Sequence, residues 1–374
     1  MTGHSSAKFM QGEGFKLGIF GYLHSSGASF SKAPDRWRAD WSDIVSLARM
    51  ADAAGLDFLL PYARWKGLRG EVDHREHSFE TLSAAAALAA VTRRIGVFAT
   101  VHAPIIHPVI AAKITNTIDH ASGGRAGINI VCGWNAEDFA MFGLEILPHE
   151  ARYAHGREWF EIWSRLSGGV ADPYDFDGNY FRNLKGLEAR PGAVQRPWPV
   201  TISAAFSPTG RAFALDTSDY LLTNATTLET GAEEIRQINA QALAQGRSRP
   251  LGSILVSHVV CRESRAEAEE YQAWFAEEQA DDFAVDNWLG ARAANATMPD
   301  KVAELRARVA GGGSNMPLIG SPSDVAEQLV EIRRAGFAAT AMSFPHYTRD
   351  LPLFVQQVLP QLDGAGIRAQ DAAA

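Results

Sequence analysis

The sequence predicts an α/β protein, a (β/α)8 TIM barrel with insertions, as a single domain over residues 1–374. Three observations predict it. Short apolar runs of strand type alternate with segments of helical periodicity, which implies a parallel sheet with helices outside. The alternation passes through eight strand–helix units, the number such a barrel uses. The length exceeds one ordinary domain, yet barrels of this class run past ~250 residues as one unit.

The elements follow in order. Lys16–Phe20 is a short apolar strand, and Asp43–Ala54 has helical spacing that stops at Gly55. Asp57–Leu60 is the second strand, Phe79–Val91 an Ala/Leu helix, and Ile95–Thr100 the third strand. Pro108 stands where a proline opens a helix, and Val109–His120 follows. Gly127–Cys132 is the fourth strand. Arg157–Leu166 is an amphipathic helix with Trp159 and Trp163, and Asp177-Gly178-Asn179 between aromatic residues predicts a hairpin turn. Pro199–Ser203, Tyr220–Thr223, Ile254–Val260 and Ala339–Phe344 are the remaining strands. Ser207-Pro208 starts one helix; Ser321, with Pro322 and Asp324 after it, starts another. Residues 281–316 break the rhythm, end in the Gly311–Asn315 run, and are expected to form a flexible insertion and lid.

Composition narrows the function. The net charge of -8 argues against a general nucleic-acid binder, and no dense basic run is present. Cys132 and Cys261 form no disulfide framework and fit a reducing cytoplasm. The N-terminus lacks an apolar signal-peptide core, and the Ala-rich run near residues 81–91 is far short of the ~20 residues of a membrane span. A cytoplasmic location without membrane attachment is therefore expected. His74 and His77, with His102 and His107, raise a metal-dependent barrel hydrolase, but no His-x-His pair ends the first strand, so no metal site is expected. Gly18 and Gly21 do not make a dinucleotide fingerprint.

The segment Arg125–Trp134 carries the most chemistry. It places Asn129 inside an apolar strand. A buried amide without partners costs ~1–3 kcal/mol, so Asn129 needs partners that a cofactor or ligand could supply. The run from Thr117 through Asp119, Gly123-Gly124-Arg125 and Asn129 to Gly133-Trp134 resembles the signature of the bacterial luciferase-like flavin monooxygenases. Within them it is most similar to the pyrimidine monooxygenase branch, and it also resembles dimethylsulfone monooxygenase and riboflavin lyase type members. The resemblance is tightest over residues 55–155, weaker over 198–224, and returns at Leu318–Ala326.

That resemblance implies reduced FMN as cofactor, O2 as co-substrate, and a separate reductase partner that spends NAD(P)H. It implies that Thr100 and Asn129 form the oxygen pocket beside flavin N5 and favours flavin-N5-peroxide chemistry; without it, Thr100 is simply a β-branched strand residue. Ala63 and Arg64 match an Ile-Lys pair in a stretch that lines the flavin, and an Arg fork is not equivalent to a Lys ammonium. Asp138 matches a Glu of that branch, or is a solvated loop carboxylate. Arg152-Tyr153 and Ser207 match elements around the FMN phosphate; Ser207 alone would be a helix cap. Trp65, Trp134 and Phe206 could stack on a planar substrate or belong to the core. The implied function is oxidative cleavage of a small electron-poor N-heterocycle, such as a pyrimidine or a flavin-like ring. The alternatives are a sulfone or sulfonate monooxygenase, a deazaflavin-dependent hydride-transfer oxidoreductase, and a flavin-binding protein without catalysis. The Ala-rich helix face at Ser83–Ala90 suits a homodimer or homotetramer contact.

Overall fold

The computed structural model describes residues 7, 10, 14–247, 250–294 and 306–368. β1 (Lys16–Phe20), α1 (Trp41–Ala53), β2 (Phe58–Leu60), α2 (Thr81–Val91) and β3 (Gly96–His102) come first. They are followed by α3 (Pro108–Ser122), β4 (Ala126–Val131), α4 (Ala136–Ala140) and α5 (His149–Gly168). A hairpin of β5 (Tyr174–Phe176) and β6 (Leu184–Leu187) leads to β7 (Val200–Ala204), α6 (Pro208–Thr217) and β8 (Tyr220–Thr223). Next are α7 (Leu228–Ala244), β9 (Gly252–Cys261), α8 (Arg265–Ala273), a π-helical turn at Trp274–Glu278, α9 (Asp282–Ala294) and α10 (Arg306–Gly312). β10 (Met316–Gly320), α11 (Pro322–Arg334), β11 (Ala339–Ser343), α12 (Tyr347–Leu353) and α13 (Leu359–Gly364) follow.

The fold is an α/β barrel of the TIM type. The eight strands expected from the sequence are β1, β2, β3, β4, β7, β8, β9 and β11. β10 is an addition that pairs with β9 in parallel. The chain divides into two compact units.

The first unit comprises Met1–Gln11, Glu80–Leu222 and Ile238–Gly252. In it β3, β4, β7 and β8 run parallel, with Thr100 beside Asn129 and Asn129 beside Ile202. A Cβ on Gly127 would stand 2.2 Å from the Phe98 ring, so glycine leaves the space that ring fills. The signature residues before β4 are structural. Gly123 ends α3 in the left-handed conformation. The Arg125 guanidinium then donates to the carbonyls of Ala89, Thr92, Ile95 and Ser122. The Asp119 carboxylate accepts from the N–H groups of Val194, Gln195 and Ala126. On α5, Trp159 donates to the Ile106 carbonyl at 2.7 Å and Trp163 to Thr115 Oγ1 at 3.1 Å. These two indoles fix α5 against the loop before α3 and α3 itself. The hairpin loop is longer than the Asp-Gly-Asn turn alone, because Glu158 of α5 accepts from the N–H groups of Asn179, Tyr180 and Phe181.

The second unit comprises Gly12–Phe79, Thr223–Gln237 and Ser253–Ala374. Its strand order is β10-β9-β11-β1-β2, all parallel. Phe30, Ala284, Val285, Trp288, Leu289, Val309 and Ala310 form one core cluster, so α9 and α10 pack rather than wave. Residues 295–305 of the expected insertion lie outside the described residues, and at its end the Gly311–Asn315 run is closely packed. Gly311 and Gly312 are buried in α10. A Cβ on Gly312 would lie 2.6 Å from His258 Cβ, and one on Gly313 2.6 Å from the Ala28 carbonyl oxygen. The glycines permit close packing. Nearby, Ser26 Oγ lies 3.0 Å from His74 Nδ1, and His74 Nε2 lies 3.1 Å from Asp281 Oδ2. All three side chains are buried. Asp281 also accepts from the N–H groups of Glu71 and Ala284, which ties the loop after β2 to the start of α9.

Candidate active site

Strand pairing builds the centre of the site. Thr100 and Asn129 face each other across β3 and β4, and Asn129 Nδ2 donates to Thr100 Oγ1 at 3.1 Å. Both are buried. Thr81 at the start of α2 donates to the Thr100 carbonyl at 2.7 Å, which fixes the end of β3. Asn129 Oδ1 is buried and has no hydrogen-bond partner. An unmatched buried carbonyl oxygen costs ~1–3 kcal/mol, so this atom points to a donor that arrives with a ligand.

The loop after β4 turns at Gly133, whose φ of +93° belongs to glycine, and a Cβ there would lie 2.2 Å from the Phe139 ring. Arg152 of α5 donates to the Gly133 carbonyl at 2.8 Å, while its Nε is buried without a partner. Asp138 lies on α4 and is buried, so the solvated-loop reading does not hold. The Tyr153 hydroxyl is hydrogen-bonded to the Ser207 side chain, and burial raises its pKa. Ser207 caps α6, accepting from Gly210 N at 3.1 Å. A Cβ on Gly210 would lie 2.6 Å from that Tyr153 hydroxyl, so the phenol rests on the first turn of α6. Phe206 is 39% exposed and Trp134 half-buried, so neither is a core residue. Burial pushes the Cys132 thiol up to about 12, which leaves it inert as a nucleophile.

In the second unit, Ala63, Arg64 and Trp65 follow β2; Arg64 is buried, Ala63 and Trp65 half-buried. Beside them the Tyr62 ring stacks on His24 at 3.9 Å, and the Tyr62 hydroxyl donates to the Gly27 carbonyl. Arg75 lies over the Tyr62 and Phe30 rings, its pKa lowered to about 10 by burial.

The structure also gathers residues that the sequence does not single out. His258 of β9, Ser343 at the end of β11 and Asn315 just before β10 share one buried hydrogen-bond network. A lone His in an apolar strand gives no signal of this kind; only strand pairing reveals it.

An α/β barrel with a buried amide–hydroxyl pair toward its strand ends is the frame of a small-molecule enzyme. The chain belongs to the luciferase-like monooxygenase family, whose model matches residues 16–339. It is 27% identical over 348 residues to the FMNH(2)-dependent dimethylsulfone monooxygenase of Pseudomonas putida, covering 90% of this chain and 92% of that protein. It is also 27% identical over 372 residues to the pyrimidine monooxygenase RutA of a Bradyrhizobium species, covering 96% and 99%. A crystal structure of the riboflavin lyase RcaE with modified FMN and riboflavin shares the fold, with a TM-score of 0.85, 21% identity, and coverage of 96% and 94%.

Proposed function

We propose that this enzyme is the oxygenase of a two-component FMN-dependent monooxygenase. It takes reduced FMN from a separate NAD(P)H-dependent reductase and, with O2, cleaves a small electron-poor N-heterocycle such as a pyrimidine or flavin-like ring. The observation that carries this reading is the buried Thr100–Asn129 pair, 3.1 Å apart, with Asn129 Oδ1 left as an open acceptor. The pyrimidine monooxygenase relative supports the heterocycle. The dimethylsulfone relative, at the same identity, supports a small sulfone as the second reading.

The residues present fit reduced FMN. The reduced ring carries an N5–H that the oxidised ring lacks, and the open acceptor of Asn129 suits it. Arg152, Tyr153, Ser207 and the amides at the start of α6 would hold the phosphate, since helix N-termini favour anions. Ala63 and Arg64 would line the ring, with Asp138 on α4. When bound, reduced FMN supplies the electrons that activate O2. Thr100 and Asn129 hold their polar groups fixed in a dry strand environment, where a preoriented dipole is worth more than in water. Trp65, Trp134 and Phe206 offer aromatic faces for a planar substrate. Homodimer or homotetramer assembly would use the exposed small residues Ser83, Ala86, Ala87 and Ala90 of α2, and light scattering would read it.

The test counts product per reduced FMN consumed, with hydrogen peroxide measured in parallel. Thr100→Ala and Asn129→Ala should lose ~10²–10³-fold in oxygenation rate while still binding flavin, with the electrons recovered as peroxide. Coupling near the wild-type value in both variants would overturn the assignment.

A further inference from the structure

The Ser343 hydroxyl has one hydrogen, and it is committed: Oγ donates to the Ser257 carbonyl at 3.1 Å. The other two neighbours of that oxygen must therefore donate to it. They are Asn315 Nδ2 at 3.4 Å and His258 Nδ1 at 3.1 Å. The network thus fixes the tautomer of His258, with its proton on Nδ1 and a bare lone pair on Nε2. That Nε2 is buried and has no partner. Burial holds the imidazole neutral, its pKa lowered to about 3.

The position of this lone pair has functional meaning. Parallel pairing aligns His258 with Ser343, Val256 with Ala341, Ala341 with Gly18 and Gly18 with Phe58, so these residues share one face of the sheet. His258 stands near the C-terminal end of β9 and Ser343 at that of β11, the end where barrel enzymes bind their ligands. Asn224, just after β8, donates to Ser314 Oγ at 3.4 Å and leaves a second buried acceptor, Oδ1, unmatched. Two acceptors without donors, joined through Ser314 and Asn315, call for a ligand that brings N–H groups.

We propose that His258 Nε2 is a ligand-binding acceptor, which takes a hydrogen bond from an imide-type N–H of the bound small molecule. Both the isoalloxazine ring and a pyrimidinedione such as uracil carry such an N–H. The inference rests on the reading above only in expecting a ligand of that kind.

The experiment has a ligand-free part and two binding arms. In ¹⁵N-histidine NMR of the free protein, the signal that disappears in His258→Gln should report a neutral ring protonated at Nδ1. A proton on Nε2 overturns the proposal. The binding arms compare FMN with N3-methyl-FMN, and uracil with 1,3-dimethyluracil, by titration calorimetry. Wild type should favour the N–H form by about tenfold in at least one arm, the size of one hydrogen bond. His258→Gln, whose amide oxygen accepts, should keep the preference, and His258→Leu should lose it. Ser343→Ala, which frees the tautomer, should weaken it. Preference in the flavin arm alone assigns the N–H to the cofactor, and lack of uracil binding then counts against the pyrimidine reading but not against His258. Equal binding of both forms in both arms, or an unchanged preference in His258→Leu, overturns the proposal.

Discussion

Gly127 and Gly18 each lie under a phenylalanine of the neighbouring strand, Phe98 and Phe58, where a Cβ would come within 2.2 and 2.1 Å of the ring. Overpacking of this kind typically costs ~1–3 kcal/mol. Gly127→Ala should therefore lower the unfolding free energy, read from denaturant melts, by an amount in that range, and Phe98→Leu in the same chain should restore part of it. Unchanged stability in Gly127→Ala would mean that the ring swings aside freely. Such single positions differ in how openly the sequence announces them. Asn129 is visible because an amide interrupts an apolar run, and the cost of burying it demands a partner. His258 is not, because a histidine between Ser257 and Val259 is as easily a satisfied core residue. Its meaning depends on the one hydrogen of Ser343, which is distant in the chain.

The start of α6 concentrates what the proposed phosphate site needs: the Ser207 cap, the Tyr153 phenol and the amides of a helix N-terminus, with Arg152 one residue from Tyr153 on α5. Arg–phosphate contacts are charge-assisted and roughly twice as strong as neutral hydrogen bonds. Ser207→Ala and Arg152→Ala should weaken FMN binding much more than riboflavin binding in fluorescence titrations. Equal losses would move the phosphate elsewhere. The elements that supply these residues are legible from periodicity and start signals; Ser321 even forms the expected capping box with Asp324. The elements that the periodicity reading does not yield include α4, α7, α8, α9, α10 and β10. Glycines in Gly311–Gly313 mimic a linker in composition, yet they are there because His258, Gln272 and Ala28 approach too closely for a side chain. Composition cannot separate a glycine that loosens the chain from one that lets two elements touch. Asp138 is ambiguous in the sequence for the same reason, since burial is set by tertiary packing.

Taken whole, the chain buries imidazoles whose protonation the interior opposes. Foremost are His24 and His258, each lowered to about 3, and His74, lowered to about 4 despite Asp281 beside it. Above the unfolded value of ~6.5 they are neutral in both states and add no pH dependence. Below it the unfolded chain binds protons that the folded chain refuses. Stability should fall as the pH drops from about 6.5 toward 5, by up to roughly 1.4 kcal/mol per pH unit for each imidazole. Urea unfolding at pH 7.5, 6.5, 5.5 and 5.0 measures this, and a flat profile across that window would contradict the burial of these rings. No helix among the described residues is long and apolar enough to cross a membrane.

Ser26, His74 and Asp281 are wired in the order hydroxyl, imidazole, carboxylate, at 3.0 and 3.1 Å. Serine hydrolases use the same three groups in the same order for acyl transfer, but with the ring turned round: there the hydroxyl meets Nε2 and the carboxylate Nδ1. Here the hydroxyl is sealed from solvent, and the imidazole is too weak a base at neutral pH to accept its proton. The same three groups serve as a clasp between two loops and the first turn of α9. Fluorophosphonate reagents, which report a nucleophilic serine, have no access to Ser26 in the folded chain, so they should leave Ser26 unlabelled although a hydroxyl, an imidazole and a carboxylate stand in line beside it.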